Sequence, residues 1–266
     1  MEIRRLMLER FYLTKSNLIS SNLSICDVIW CLYDSVLNTK PSDFDDKKNN
    51  ERDRFILSKG HGALALYTVL YLKQYITKND FDSYYQNDSV FGNLIKHYVK
   101  GVEFSSGSLG IPITFAVGEA LAAKIQRSNR KIYCLISDGE TNEGSCWEAF
   151  MFACHHKCNN LIIMYDNNKR QAMGYTKDVI ENNNIIDKMQ AFGFEIIEMN
   201  GHNHKEIKKT FIDINNKIND NIITKPIFIN IYTISGKGIS FMEDKLEWHY
   251  KSMNEDEYNL ALSELI

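Results

Sequence analysis

Residues 131–144 read KIYCLISDGETNEG, and residues 160–168 read NLIIMYDNN. Each stretch opens on an apolar run and ends in small, acidic or amide side chains. The runs Lys131–Ser137 and Asn160–Asp166 have the length of strands. Neither alternates apolar with polar residues, which points to strands covered on both faces. Between them, Ser145 and Glu148 have the spacing of a capping box, which predicts a helix starting at Ser145. Strand, helix and strand within about thirty residues make a parallel pair joined by a crossover.

The rest of the chain extends this unit. Residues 1–38 read as two helical stretches broken near SNLISSN (16–22), and the polar run 40–52 reads as a loop. RFILSKGHGALALYTVLYL (54–72) predicts a strand over Arg54–Ser58, a glycine turn and an apolar helix. Asp80 to Lys100 reads as irregular. Pro112 to Gln126 reads as a closely packed helix, with Pro112 in the first turn, where its missing N–H costs nothing. Phe194–Met199 and Pro226–Thr233 are two more strands, and the Asn-rich patches 182–184 and 215–221 read as loops. The fold class is therefore α/β, a parallel sheet covered by helices on both faces. There is no internal repeat and no low-complexity linker, so residues 1–266 read as a single domain.

Composition narrows the function. The chain has 266 residues, 44% of them hydrophobic, and a formal net charge of −3. It has no basic stripe with interleaved aromatics, which argues against nucleic acid. No apolar run approaches the roughly 20 residues of a membrane span. The start, MEIRRLMLERFYL, is charged and amphipathic, unlike a signal peptide, so a cytoplasmic protein is expected. The six cysteines form no CxxC pair and read as reduced core residues. CHHKC (154–158) is read as core, because a closed zinc site needs four converging ligands.

In a parallel sheet the ligand lies beyond the carboxyl ends of the strands. Ser137-Asp138-Gly139 ends one strand and Asp166-Asn167-Asn168 the next, so Asp138 and Asn168 are predicted to converge. A carboxylate and an amide oxygen are hard donors that suit Mg²⁺, which shares its sites with phosphate oxygens. Gly139 lets a backbone N–H approach such a phosphate. Asp138, Glu140 and Glu143 crowd three acids into one loop, so a cation or a shared proton is expected beside them.

SDG (137–139) followed by NN (167–168) resembles the thiamine diphosphate motif, and the whole is similar to the transketolases. The segments that carry the resemblance are RFILSKGHGALALY (54–67), GVEFSSGSLG (101–110) with AVGEALAAK (116–124), residues 137–169, and ISGKGISFMEDKLEWH (234–249). They run in family order from about residue 54 to the end. The match is to the N-terminal, diphosphate-binding half, which some bacteria make as a separate subunit. The pyrimidine-binding domain of a full-length transketolase would begin where this sequence stops.

The resemblance implies a thiamine diphosphate-binding fold and these roles. Asp138, the side chain of Asn168 and the backbone carbonyl of Arg170 bind Mg²⁺. His61, Gly139 and His249 approach the diphosphate, while Gly107, Ser108 and Leu109 line the cofactor's middle and ring. His97 aligns, after a gap, with a histidine that contacts the sugar. Glu143 aligns with a glutamate in a proton-sharing link between active sites. His61, His97, Glu143 and His249 are thus the implied catalytic set. The implied reaction moves a two-carbon ketol unit from a ketose to an aldehyde, with the cofactor as electron sink. The implied assembly is a homodimer of this chain within a heterotetramer completed by a separate pyrimidine-domain subunit.

Four positions depart from the family pattern. Leu18 stands where a substrate-handling histidine is expected, Pro112 and Ser137 replace glycines, and Arg170 replaces an apolar residue. Two other readings stay open. One is the α subunit of a 2-oxo acid dehydrogenase or decarboxylase, which shares the thiamine motif but not SKGH, SGSLG and WH. The other is a cofactor-free, non-catalytic partner protein that keeps the fold.

Overall fold

Five parallel strands carry the computed structural model, which describes residues 2–45, 49–182 and 184–265. In chain order the strands are β1 (Arg54–Leu57), β2 (Ile132–Ser137), β3 (Leu161–Asn167), a two-residue antiparallel hairpin of β4 (Arg170–Gln171) and β5 (Gly174–Tyr175), β6 (Glu195–Asn200) and β7 (Ile227–Tyr232). The sheet order is β1-β2-β3-β7-β6. The helices are α1 (Glu2–Thr14), α2 (Ile19–Ser35), α3 (Ala63–Leu72), α4 (Lys78–Asp82), α5 (Ile111–Ile125), α6 (Gly144–His155), α7 (Thr176–Val179), α8 (Ile185–Phe192), α9 (His204–Asn219) and α10 (Glu255–Glu264).

The central strands divide their side chains between two cores, as a period of two requires. Tyr133 and Leu135 of β2, and Ile162 and Met164 of β3, face a core built with α1, α2, α3 and α9. Ile132, Cys134 and Ile136, with Leu161, Ile163 and Tyr165, face a second core built with α5, α6 and α8. Both sets are buried, which is why these strands read as unbroken apolar runs. The chain steps from β1 to β2 to β3, skips to the edge at β6, and returns to β7. Right-handed crossovers put α5, α6 and α8 on one face and, once the direction reverses, α9 on the other.

The expected strands appear within a residue of their predicted bounds, all parallel. Three expectations are corrected. Ser145 does not cap a helix: α6 begins at Gly144 behind Glu143, and the Ser145 hydroxyl donates to the Gly110 carbonyl at 3.0 Å instead. The patch 215–221 is not a loop, because α9 runs to Asn219. Its buried Ile207, Phe211 and Ile214 hold one face on the sheet and override the weak helix propensity of the asparagines. The 80–100 stretch opens with the short α4, started by a capping box between Thr77 and Asp80. Residues 46–48 of the polar loop and residue 183 of the 182–184 patch lie outside the described residues. The start of that polar loop is a single 3₁₀ turn, Pro41–Phe44.

Far-apart segments are tied by a buried acid. Asp27 on α2 accepts from both terminal nitrogens of Arg4, at 2.9 and 2.5 Å, and lies 2.9 Å from ring nitrogens of His202 and His204. Burial alone would push this carboxyl up, but His202, Arg4 and His204 hold it well below the usual range. The knot pins α1 and the β6–α9 turn to α2, behind the carboxyl ends of the strands.

Candidate functional site

Ser137 of β2 lies directly beside Asp166 of β3 in the sheet register. Asp138 and Asn168 therefore leave neighbouring strand ends, as their spacing predicts. Asp138 is 1% exposed. Its Oδ1 accepts from the Gly139 N–H at 2.8 Å, and its Oδ2 accepts from the Thr176 hydroxyl at 2.8 Å. Burial, and then the charge of Asp166, push its carboxyl up to about 7. The amide of Asn168 is oriented from both sides. Its Nδ2 donates to Asp166 Oδ2 at 3.0 Å, and its Oδ1 accepts from the Arg170 N–H at 2.9 Å.

A buried cation does stand nearby, Lys59, a residue with no local sign of its role, but it pairs with Asp166 and not with the three crowded acids. It comes from SKGH, is almost wholly buried, and its Nζ lies 2.5 Å from Asp166 Oδ2. It also donates to the Ser21 carbonyl and the Ser24 hydroxyl, each at 3.1 Å. Breaking a buried pair leaves a charge uncompensated, at a cost of about 3–5 kcal/mol. Lys59→Met is expected to lower the melting temperature by roughly 10 °C. Adding Asp166→Asn should recover much of that loss. A cycle of the two substitutions, followed by thermal unfolding, checks the coupling.

Two acids of the loop, Asp138 and Glu140, meet hydrogen-bond donors instead. Glu140 is fully buried, accepting from the Gly110 N–H at 2.8 Å, from the Ser58 hydroxyl, and from the Ser137 N–H at 3.4 Å. Burial raises its pKa while these three donors hold it down. One carboxylate thus clamps the ends of β1 and β2 to the SGSLG loop. Gly110 takes φ +79 there, and a Cβ would stand 2.3 Å from Ser145 Oγ, so only glycine fits. Pro112 follows as the second residue of α5, and the loop keeps its place with proline in the first turn.

A cavity of about 230 Å³ opens above Asp138. His61, Gly107, Leu109, Asp138, Gly139, Arg170 and His249 line it, together with Leu18. Ser21, Lys59, Leu94 and Gln171 line it too, and nothing in their local sequence singles them out. The His61 and His249 rings meet edge to face at 5.8 Å. Ser21 Oγ lies 3.2 Å from His249 Nδ1. Burial, and then the charge of Lys59, lower both imidazoles, His249 to about 4, so both are neutral at pH 7. Arg170 turns its guanidinium away, onto the Tyr175 ring and Asp244.

Four predicted residues stand elsewhere. Ser108 is exposed and outside the cavity lining. Glu143 is exposed at the start of α6, beside Gly110 on the rim. His97 is exposed, and its ring and backbone nitrogens both reach the Ser105 hydroxyl at 2.9 Å; Leu94 occupies the cavity wall instead. Asn168 borders a second, larger cavity of about 950 Å³ at the ends of β3 and β7. That space holds Asn168 without Asp138, whereas the smaller cavity holds Asp138, Gly139 and both imidazoles, and a narrow space lined by Asn168, Arg170, Gln171 and His249 shares its last three residues with that smaller cavity.

The donor set fits Mg²⁺ carrying a diphosphate. One carboxylate and one amide oxygen stand on adjacent strand ends, and two neutral imidazoles face them. Among the described residues no group of three or more His, Cys, Asp or Glu could hold a metal ion. Mg²⁺ beside phosphate oxygens needs only one or two carboxylates from the protein. No helix of the described residues is long and apolar enough to cross a membrane.

Comparison with known proteins agrees with this geometry. The family described as transketolase, thiamine diphosphate binding domain, matches residues 1–265. The chain is 42% identical over 246 residues to one subunit of an apulose-4-phosphate transketolase from Actinobacillus succinogenes, covering 92% of this chain and 86% of that protein. It is 35% identical to a 6-deoxy-6-sulfo-D-fructose transketolase subunit from a Clostridium species, covering 99% of this chain and 93% of that one. Its fold superposes on the transketolase of Leishmania mexicana with a TM-score of 0.87 at 27% identity, over 98% of this chain. It spans 40% of the length of that larger enzyme. With the family matched almost end to end, and its paired acid and amide on neighbouring strand ends, the chain belongs to the transketolase thiamine diphosphate-binding domain family.

Proposed function

We propose that the chain is the thiamine diphosphate- and Mg²⁺-binding subunit of a two-component transketolase. It would move a two-carbon ketol unit from a ketose donor to an aldehyde acceptor. The observation that carries this is that Asp138 and Asn168 leave the adjacent ends of β2 and β3, with His61 and His249 lining the space above Asp138 and His249 also bordering Asn168. When bound, the cofactor supplies the electron sink for cleaving the donor's carbon–carbon bond.

The chain's own residues bind and orient. Asp138 and Asn168 would hold Mg²⁺ with the carbonyl of Arg170. Lys59 fixes Asp166, Asp166 holds the Asn168 Nδ2, and Oδ1 is left as that amide's acceptor. The neutral imidazoles of His61 and His249 can each donate one N–H to a diphosphate oxygen without repelling the metal. Glu143, on the rim, would share a proton with a group across an interface.

The cavity is smaller than the roughly 300–1,000 Å³ of ordinary ligand pockets. A site completed by a pyrimidine-binding subunit accounts for that. Relatives named as subunits match along most of their length, which supports a separate partner subunit, and we place this chain as a homodimer within a heterotetramer. We place the complex in the cytoplasm, with sugar substrates and no nucleic-acid or membrane partner. Calorimetric titration with thiamine diphosphate and Mg²⁺, the partner subunit being present, tests the cofactor reading, and absence of binding would return the cofactor-free alternative. A reconstituted complex that consumed a 2-oxo acid in place of a ketose would return the dehydrogenase alternative.

Leu18 bears on the substrate. It caps α2 at φ +74, and Asn22 Nδ2 holds both its carbonyl, at 2.8 Å, and that of His61, at 3.1 Å. The segment therefore lines the cavity, with leucine where the family presents histidine. A wall without hydrogen-bonding capacity loses its preference for a substrate hydroxyl. We expect kcat/KM on xylulose 5-phosphate and ribose 5-phosphate to lie roughly tenfold below that on a substrate with C–H at this contact. Steady-state kinetics of the reconstituted complex checks this, and equal or faster turnover of the pentose phosphates rejects it.

A further inference from the structure

Gln171, on the β4–β5 hairpin, is 8% exposed and lines the cavity. Its Oε1 accepts from Asn142 Nδ2 at 2.8 Å. Its Nε2 is buried with no hydrogen-bond partner. Among the described residues five other buried side-chain atoms share that condition, on Arg10, Thr39, Tyr67, Arg130 and Asn160, and none of those residues lines this cavity. A buried unpaired donor costs free energy, so it calls for a partner.

The position of the side chain says which partner. A Cβ built on Gly139 would meet Gln171 Cγ at 3.4 Å, an ordinary contact, and nothing closer. No protein atom therefore requires glycine at 139. The amide group itself packs against Gly139, with Cδ and Oε1 each 3.6 Å from that point. Asp138 lies one residue before Gly139, and Asn168 three residues before Gln171. Gln171 lines both the cavity that holds Asp138 and the narrow space that holds Asn168, so its amide stands between the two groups that would carry the metal.

We infer that Gln171 Nε2 is a donor to a phosphate oxygen of the bound diphosphate, held ready by its bond to Asn142. This rests on the cofactor reading proposed above. Gln171 would act in binding and positioning, with no part in proton transfer.

The test uses Gln171→Met, which keeps the stem and removes the amide, and Gln171→Glu, which replaces donors with a negative charge. Thermal unfolding of the metal-free chain is measured beside calorimetric titration, with the partner subunit present, by Mg²⁺ plus inorganic pyrophosphate and by Mg²⁺ plus thiamine diphosphate. Removing an orphaned donor should leave the melting temperature of Gln171→Met unchanged or raised. Its affinity for both ligands should fall about tenfold to a hundredfold, as for a lost hydrogen bond to a charged group. Gln171→Glu should bind more weakly still. The inference is overturned if Gln171→Met binds both ligands as tightly as the parent chain. It is overturned equally if melting temperature and affinity fall together, the mark of a structural residue. Weakened cofactor binding with unchanged pyrophosphate binding would remove the diphosphate assignment. A parent chain that binds neither ligand with its partner present would remove the cofactor reading and this inference with it.

Discussion

Asp138→Asn is expected to abolish Mg²⁺-dependent cofactor binding while making the metal-free chain more stable at alkaline pH. The two effects have one cause. Asp138 is buried beside Asp166, and its carboxyl is pushed up from 3.8 to about 7. A folded-state pKa above the unfolded one means that the folded chain binds the extra proton between those two values. Stability from this group is therefore fully present below about pH 4 and is lost as pH rises through 7. At pH 8 the charged form costs up to about 4 kcal/mol, at 1.36 kcal/mol per pKa unit. Asparagine removes the charge and keeps the shape. Its carbonyl can accept from the Gly139 N–H, and its NH₂ can face the Thr176 hydroxyl, which also accepts. Denaturant unfolding in chelator should show the variant ahead at pH 8 and level with the parent near pH 4. Loss of a metal-binding carboxylate should weaken cofactor binding by more than the roughly hundredfold seen for outer-shell changes. A variant that bound cofactor and Mg²⁺ as the parent does would remove Asp138 from the metal site.

The second large effect is expected on assembly. These 266 residues should turn over ketose at background level alone and gain at least about a thousandfold in the presence of a pyrimidine-domain partner. The physical reason is the half-built site. On the proposed reading the polar groups of the cavity, Asp138, Gln171 and the two histidines among them, serve the diphosphate, while Leu18, Leu94, Leu109 and Ala172 leave the rest of its wall apolar. Orienting a reacting carbon within a near-attack geometry supplies several kcal/mol of a barrier, and an open cavity cannot provide it. Excluding water strengthens every charge interaction in the site. Glu143 on the rim is placed to join such an interface but reaches no cavity atom by itself. Titrating a partner subunit into a fixed amount of this chain should give activity that saturates at a fixed ratio. Full turnover by these residues without a partner would contradict this.

Much of the architecture was legible in the chain itself. Lys131–Ser137 and Asn160–Asp166 are local apolar runs, and one helical crossover between them forces adjacency, so Asp138 and Asn168 leave neighbouring strand ends as their spacing predicts. Pro112 in a first helical turn is likewise a local matter, since its fixed φ and missing N–H suit that position and few others. Ser145 shows where local signals stop: its capping pattern is present, but a tertiary contact with Gly110 took the hydroxyl.

The rest was decided only by the tertiary structure. Lys59 and Asp166 are 107 residues apart, and no spacing announces that they form a buried pair. Glu140 reads as one of three crowded acids, yet the fold buries it among N–H and O–H donors from three segments. His97 sits in a stretch without regular structure, where sequence order does not determine direction, and the fold gave its place on the wall to Leu94. Gln171 is an ordinary hairpin residue until its amide is seen against Gly139 with Nε2 buried and unpaired. Strands and their ends follow from short-range patterns of burial. The partners of a buried polar group follow from which distant segments the sheet brings together.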